Sequence, residues 1–360
     1  MNYINQMEPW IGEEEKRAIN EYLDAGGWLT EFRKTREFEE MIANYTGSRY
    51  AVVVANGTVS LTTALMALDI GSGDEVIVPD FTMLASATSV VLAGAKPVFV
   101  DVNPSNWCID LDQVEKAITQ HTKALMVVSI NGRSSDMQRA IEICQRHELY
   151  LIEDAAQSLG SWYKSKHLGT WGAIGSYSFS APKVITTGQG GALVTDDPVL
   201  ADRIRKIKDF GRRKAGEDYY ETVGFNFKFT DIQAVIGIEQ MKKLPWRVDR
   251  KKEILKLYMQ ELSVVEEIHF PETDLKEVSP WFIDIMVPDP IALRNHLEAN
   301  GIGSRPVYPA LHSLPAFKIP GHFPGAEYVA RFGLWLPSAS QLIDDQIIRI
   351  SEVIKGFYRP

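Results

Sequence analysis

Lys183 ends the serine-rich turn Ser178-Phe179-Ser180-Ala181-Pro182-Lys183, and Thr186-Thr187-Gly188-Gln189-Gly190-Gly191 follows it. Upstream, the apolar run Leu149-Tyr150-Leu151-Ile152 closes on Glu153-Asp154-Ala155-Ala156-Gln157. Alone, Lys183 reads as a surface lysine and Asp154 as a strand-end cap. Together, in this order, they are what a pyridoxal 5'-phosphate (PLP) site requires. The lysine amine would bind the cofactor aldehyde as a Schiff base. The acid would pair with the pyridinium nitrogen and keep it protonated, so that the ring can accept electrons. Such a lysine needs a free amine near neutral pH, so its surroundings must depress its pKa.

Other residues fit around this pair. Asn56-Gly57-Thr58 joins the apolar run Ala51–Val54 to a helical pattern. A strand, a tight glycine turn and a helix N-terminus offer free amides and a favourable dipole to a phosphate. The bland alternative is a capped turn. Ser178 can add a hydroxyl to the same phosphate. Gln157, just past the strand end, can hydrogen-bond the cofactor's phenolic oxygen or merely cap its turn. The run Arg203 to Lys208 and then Arg212-Arg213-Lys214 is basic in an acidic chain. It reads as a solvated helix face, with a diphosphate patch as the alternative. His121, His147 and His296 form no metal pattern, and no metal is expected. Gly169-Thr170-Trp171-Gly172-Ala173-Ile174-Gly175 does not match a dinucleotide fingerprint.

These residues must be positioned by a sheet. Candidate strands lie at Ala51–Val54, Glu75–Val78, Pro97–Val100, Ala124–Val128, Tyr150–Ile152, Ser176–Phe179 and Ala192–Thr195, and most are continuous apolar runs rather than alternating ones. That suits strands covered on both faces. Helical patterns at 58–69, 83–93, 110–118 and 136–147 separate them, and 11–25, 198–208 and 230–242 are helical too. The rhythm predicts a mainly parallel α/β sheet flanked by helices. A further helix is expected at about 247–263, beginning after Pro245. Beyond it come a strand, Trp281–Val287, and helices at 289–300 and 344–357. The expected organisation is a large cofactor-binding domain at 1–246 and a smaller C-terminal α+β domain at 247–360.

The chain has 360 residues and a formal net charge of −9, which argues against a nucleic-acid partner. Only two cysteines occur, Cys108 and Cys144, which argues against a disulfide framework and a cysteine zinc site. There is no signal peptide or membrane-length apolar stretch, so a cytoplasmic protein is expected, with no membrane partner.

The stretches ANGTVSLTTAL (55–65), GDEVIVPDFT (73–82), IEDAAQSLG (152–160), SFSAPKVITTGQGGAL (178–193), VGFNFKFTDIQAVIG (223–237) and GIGSRPVYPALH (301–312) resemble the DegT/StrS-type sugar-nucleotide aminotransferases. These belong to the fold type I PLP-dependent transferases. The resemblance runs almost end to end. It implies an enzyme that aminates a keto group of a nucleotide-linked deoxysugar, with glutamate as donor, as a homodimer with shared active sites. It makes Lys183 the Schiff-base lysine and proton shuttle, and Asp154 the partner of the pyridinium. Gln157 would contact the ring oxygen, and Gly57, Thr58 and Ser178 the phosphate. Asn226 would reach the phosphate of the neighbouring subunit's cofactor.

Three places depart from the family pattern. Met83 stands where an aromatic residue usually stacks on the ring; a thioether can pack there but stacks less well. Ser129-Ile130-Asn131-Gly132-Arg133 replaces His-Leu-Tyr-Gly-Gln, and Gln189 replaces a glutamate. The segment from Ser304 to His312 is similar to members that aminate carbon 4 of the sugar, with Arg305, Tyr308 and His312 as substrate contacts. The other readings are a 3-keto-sugar or cyclitol aminotransferase, or a PLP-binding regulator without turnover. A dehydratase of the same fold would carry histidine at the Lys183 position.

Overall fold

The computed structural model describes residues 3–214 and 216–359. Its strands are β1 (Tyr50–Val54), β2 (Glu75–Pro79), β3 (Lys96–Val100), β4 (Thr122–Val128), β5 (Tyr150–Asp154), β6 (Trp162–Tyr163), β7 (Lys166–His167), β8 (Ile174–Ser178), β9 (Gly191–Thr195), β10 (Ile283–Met286), β11 (Arg305–Pro306) and β12 (Gly333–Leu336). Among the described residues, seven of these form the central sheet in the order β1-β9-β8-β5-β4-β2-β3. Its pairings are parallel except those of β9, which runs antiparallel to both β1 and β8. The mainly parallel sheet is as expected, and β2 and β4 are buried along nearly their whole length.

The helices are α1 (Glu13–Asp24), α2 (Arg33–Thr46), α3 (Gly57–Ala67), α4 (Ala85–Leu92), α5 (Leu111–Ala117), α6 (Met137–Arg146), α7 (Pro198–Lys208), α8 (Asp231–Leu262), α9 (Pro290–Ala299), α10 (Pro324–Phe332) and α11 (Asp344–Tyr358). One core cluster joins α2 and the first half of α8 to residues of β1, β8 and β9. Another joins α3, α4 and α7 to the sheet. The C-terminal strands form an antiparallel sheet, β10-β12-β11. Its core includes Ile254, Leu255 and Tyr258 of α8 and Ile350 of α11. Ile4 belongs to that core as well, bridged to Ile302.

Three expectations change. The helices expected at 230–242 and 247–263 are one continuous helix, α8, with Pro245 inside it. Proline there removes one helical hydrogen bond, at a cost of about 3 kcal/mol. Burial of Met241, Leu244 and Val248 on both sides of Pro245 offsets it. The proposed division at 246/247 therefore falls inside a helix that packs on α1 and α2 at one end and α11 at the other. Helices α2 and α10 and strands β6, β7, β11 and β12 went unread. The expected strand at Trp281–Val287 is shorter, Ile283–Met286, because Trp281 and Phe282 turn towards the site instead.

Candidate active site

The parallel strands end on one edge of the sheet, and the singled-out residues gather there, as ligands do in open α/β sheets. A cavity of about 570 Å³ is lined by Gly57, Thr58, Met83, Asp154, Gln157 and Lys183, among others. Ser178, Gln189, Arg305 and Tyr308 also line it. Asn226 and His312 do not. Asn226 is exposed, on a segment bridged to Asp209. The His312 ring is held by Asp80, with Nδ1 to Oδ2 at 2.6 Å, and packs on Phe323. These contacts, with the His312 N–H donated to Asp80 Oδ1 at 2.7 Å, tie the loop after β11 to the end of β2.

Asn56 folds the β1–α3 turn. Its Oδ1 accepts the Val59 N–H at 3.0 Å and its carbonyl accepts Ser60 N–H at 3.1 Å. The Gly57 and Thr58 amides have no partner among the described residues, and they stand at the positive end of an 11-residue helix. Asn56 is the helix cap. The approach at Gly57 is close: a Cβ there would lie 3.0 Å from Ser178 Cβ and 3.2 Å from its Oγ, so Ser178 would have to give way by a few tenths of an ångström. That close approach brings the Ser178 hydroxyl beside the helix end, the donor set a phosphate needs.

Asp154 closes β5 and is buried. Its Oδ2 accepts the Ser86 hydroxyl at 2.6 Å and its Oδ1 the Ala156 N–H at 3.2 Å. Burial pushes this carboxyl above the usual range, and the Ser86 hydrogen bond and the nearby Lys183 charge oppose that shift. A cationic ring nitrogen is the partner that would hold it ionised. Gln157 is buried, and its Oε1 accepts the Asn131 N–H at 2.9 Å. The carboxamide thus has its NH2 group left to present to the cavity. These groups fit PLP: donors for a phosphate, an acid for the ring nitrogen, an amide for the ring oxygen, a lysine for the aldehyde.

Lys183 opens on the cavity between these groups, and its amine is pushed down to about 7 by desolvation, with Asp154 pulling the other way. The Trp281 ring lies 3.8 Å from Nζ, and its indole N–H donates to the Pro182 carbonyl at 2.6 Å. Contact with an aromatic face favours the charged amine by about 1 kcal/mol, so burial is the stronger influence here. Trp281 and Ser86 escaped the sequence reading. Ser86 lies one helical turn after Thr82, and their hydroxyls are 3.0 Å apart, which is a weak signal in retrospect. Trp281 carries none, since only the fold brings it to Lys183.

Arg305 is exposed at the cavity mouth, over the Trp335 ring at 4.7 Å, and pairs with no acid among the described residues. The Tyr308 hydroxyl is pushed well up by burial. Met83 is half exposed at the rim. The basic run offers no free patch along most of its length. Arg205 and Lys208 face Glu39, Lys206 faces Asp202 and Glu221, and Arg213 faces Glu217. A cavity of about 490 Å³ beside this run shares no lining residue with the Lys183 cavity. The glycines from 169 to 175 serve packing: a Cβ on Gly175 would meet Gly169 O at 1.8 Å. Among the described residues, no cluster of acids, histidines and cysteines could hold a metal, and no helix is long and apolar enough to cross a membrane.

Residues 9–355 match the DegT/DnrJ/EryC1/StrS aminotransferase family. The chain is 36% identical to GDP-perosamine synthase of Escherichia coli O157:H7, over 99% of each chain. It superposes on S. venezuelae DesV in complex with a ketimine intermediate with a TM-score of 0.92, at 33% identity, over 96% of this chain and 95% of that one. The PLP form of the putative sugar aminotransferase Spr1654 from Streptococcus pneumoniae gives a TM-score of 0.92 at 28% identity, over 98% of each chain. The lysine, the acid and the phosphate cradle gathered at one sheet edge, and the match over nearly the whole length, lead to one conclusion: the chain belongs to the DegT/DnrJ/EryC1/StrS family of PLP-dependent aminotransferases.

Proposed function

We propose that the protein transfers the amino group of glutamate to a nucleotide-linked keto-deoxysugar, at carbon 4 of a 6-deoxyhexose. The observation that carries this reading is the Lys183 amine, held near 7 in one cavity with Arg305 and Tyr308. The likeness to GDP-perosamine synthases supports the sugar nucleotide. When bound, PLP supplies the electron sink for breaking the α C–H bond of the donor. The chain supplies the rest. Neutral Lys183 Nζ takes the proton from the donor carbon and later returns one to the sugar carbon. Asp154 keeps a proton on the ring nitrogen. Gly57, Thr58 and Ser178 anchor the phosphate. Trp281 and Phe282, both buried, wall water from Lys183. Arg305 has the planar fork suited to a substrate phosphate, and the Tyr308 hydroxyl can orient the sugar.

The reading includes a homodimer in which Asn226 serves the partner's site. Trp28, Phe32, Tyr219, Tyr220 and Phe225 are exposed, more aromatic surface than an isolated chain usually leaves in water, and a second copy is their proposed cover. The test is to incubate the PLP-loaded enzyme with 15N-glutamate and 4-keto-6-deoxy or 3-keto-6-deoxy nucleotide sugars. NMR is expected to show 15N on carbon 4 of the former. Labelling only at carbon 3 of the latter overturns the regiochemistry.

A further inference from the structure

The segment that departs most from the family pattern, Ser129 to Arg133, is tied into one buried network. Asn131 adopts the left-handed conformation, φ 49° and ψ 35°, which asparagine tolerates better than most residues. Its side chain is held at both ends by β10 and the residue before it. Nδ2 donates to Asp284 Oδ2 at 2.6 Å, and Oδ1 accepts the Phe282 N–H at 3.2 Å. Arg133 grips the same carboxylate with both terminal nitrogens, at 3.2 and 2.6 Å, and its Nε donates to the Asn106 carbonyl at 2.8 Å. Its guanidinium lies over the Trp107 ring at 5.1 Å. Asn131, Arg133 and Asp284 are 1%, 3% and 2% exposed. Burying a single charge here would be costly, and the bidentate pair with its added donors is what makes it tolerable.

The network reaches the cofactor cavity through Gln157. Asn131 donates its backbone N–H to Gln157 Oε1 at 2.9 Å. With that oxygen taken, the carboxamide cannot flip without losing a buried hydrogen bond, so its NH2 group is the end left for the cavity. The same loop also touches the pyridinium partner, since Ser129 N–H donates to the Asp154 carbonyl at 3.1 Å.

We propose that Asp284 is a positioning residue of the active site: through Asn131 it fixes the Gln157 carboxamide with its N–H towards the ring oxygen of PLP, and Arg133 is its counter-ion. This rests on the reading that Gln157 contacts that oxygen. An N–H donated to the oxygen favours the Lys183–cofactor link in its deprotonated form. Losing or loosening that donor raises the pH at which the yellow absorption of the loaded enzyme titrates.

The test is a double-mutant cycle read by pH titration of the visible spectrum of the holoenzyme. Gln157→Ala is expected to raise the midpoint by about one pH unit, the size a hydrogen bond to a charged group carries. Asn131→Gly keeps the positive φ and the backbone N–H but cuts the tie to Asp284. It is expected to raise the midpoint by a smaller amount, and to add nothing in the Gln157→Ala background. The pair Arg133→Gln with Asp284→Asn, neutral and similar in size, is expected to behave as Asn131→Gly does if the latter folds poorly. An unchanged midpoint in folded Asn131→Gly and in the neutral pair overturns the inference. So does an equal shift with and without Gln157. An unchanged midpoint in Gln157→Ala instead overturns the reading of Gln157 itself.

Discussion

At the scale of single residues, the proposed chemistry depends on Lys183 being uncharged when it must act. Burial lowers its pKa from 10.5 to about 7, against the pull of Asp154. The sign is that of a depressed base: the amine is neutral above about pH 7 and protonated below it. A protonated amine cannot condense with an aldehyde. Reloading of cofactor-free protein with PLP is therefore expected to be nearly independent of pH above about 8, and to fall about tenfold per unit well below 7. Stopped-flow absorbance measures it. A rate still climbing up to pH 10 would show an ordinary, solvated lysine. At this scale the chemistry was largely legible. Asp154 and Ser178 end strands, and Gly57, Gln157 and Lys183 lie just past strand ends, where local sequence fixes the backbone and the structure gathers them round one cavity. Trp281 was not legible, because its role comes from β10 folding back onto the Lys183 turn. Nor was Ser86, whose hydroxyl has meaning only once β2 and β5 lie near each other in the sheet.

At the scale of elements, α8 holds the Lys183 turn from behind. Gln240 Oε1 accepts the Thr186 N–H at 3.2 Å, and Arg247 Nη1 donates to the Val184 carbonyl at 2.9 Å. One turn on, fully buried Lys251 donates to the Trp281 carbonyl at 2.6 Å and to the Ser338 carbonyl. A break at Pro245 would separate these contacts, so the unbroken helix is part of the site's support. Lys251→Met keeps most of the volume but leaves two buried carbonyls unpaired, at about 1–3 kcal/mol each. Urea unfolding is expected to show a loss of about 2–6 kcal/mol, with PLP bound more weakly. Stability within about 0.5 kcal/mol of wild type would mean that water replaces the amine freely.

Most of the central strands were readable because they are continuous apolar runs, as in β1, β2 and β4. Helix α2 was not. Among its five buried residues are Thr35 and Glu39, so a polar pair interrupts the apolar stripe that sequence reading looks for. Each has a partner only in the folded state: Thr35 Oγ1 donates to Asp231 at 2.6 Å, and Glu39 accepts the Val53 N–H at 2.9 Å. Proline 245 misled for a related reason. Its local preference favours a helix start, and tertiary packing overrode it.

At the scale of the whole molecule, the proposed function needs two chains. Asn226 lies outside the cavity of its own chain, on the exposed stretch that carries Tyr219, Tyr220 and Phe225. Lys183→Ala and Asn226→Ala homodimers are expected to be inactive or nearly so. Verified heterodimers of the two are expected to regain up to about half the activity per dimer, because one hybrid site has both groups intact. Activity no higher than the homodimers' would place Asn226 in a purely local role.

The central claim is that an amino group passes through a cofactor bound to Lys183, and it is tested most directly by following the colour of the loaded protein through one cycle. Purified wild-type enzyme with PLP is expected to be yellow, to bleach on addition of glutamate, and to regain its colour when a 4-keto-6-deoxy nucleotide sugar is added. Lys183→Ala is expected to show no Lys-linked yellow band and essentially no turnover. A wild-type protein that stays yellow in glutamate, or a Lys183→Ala variant that completes the cycle at near wild-type rate, would contradict the account.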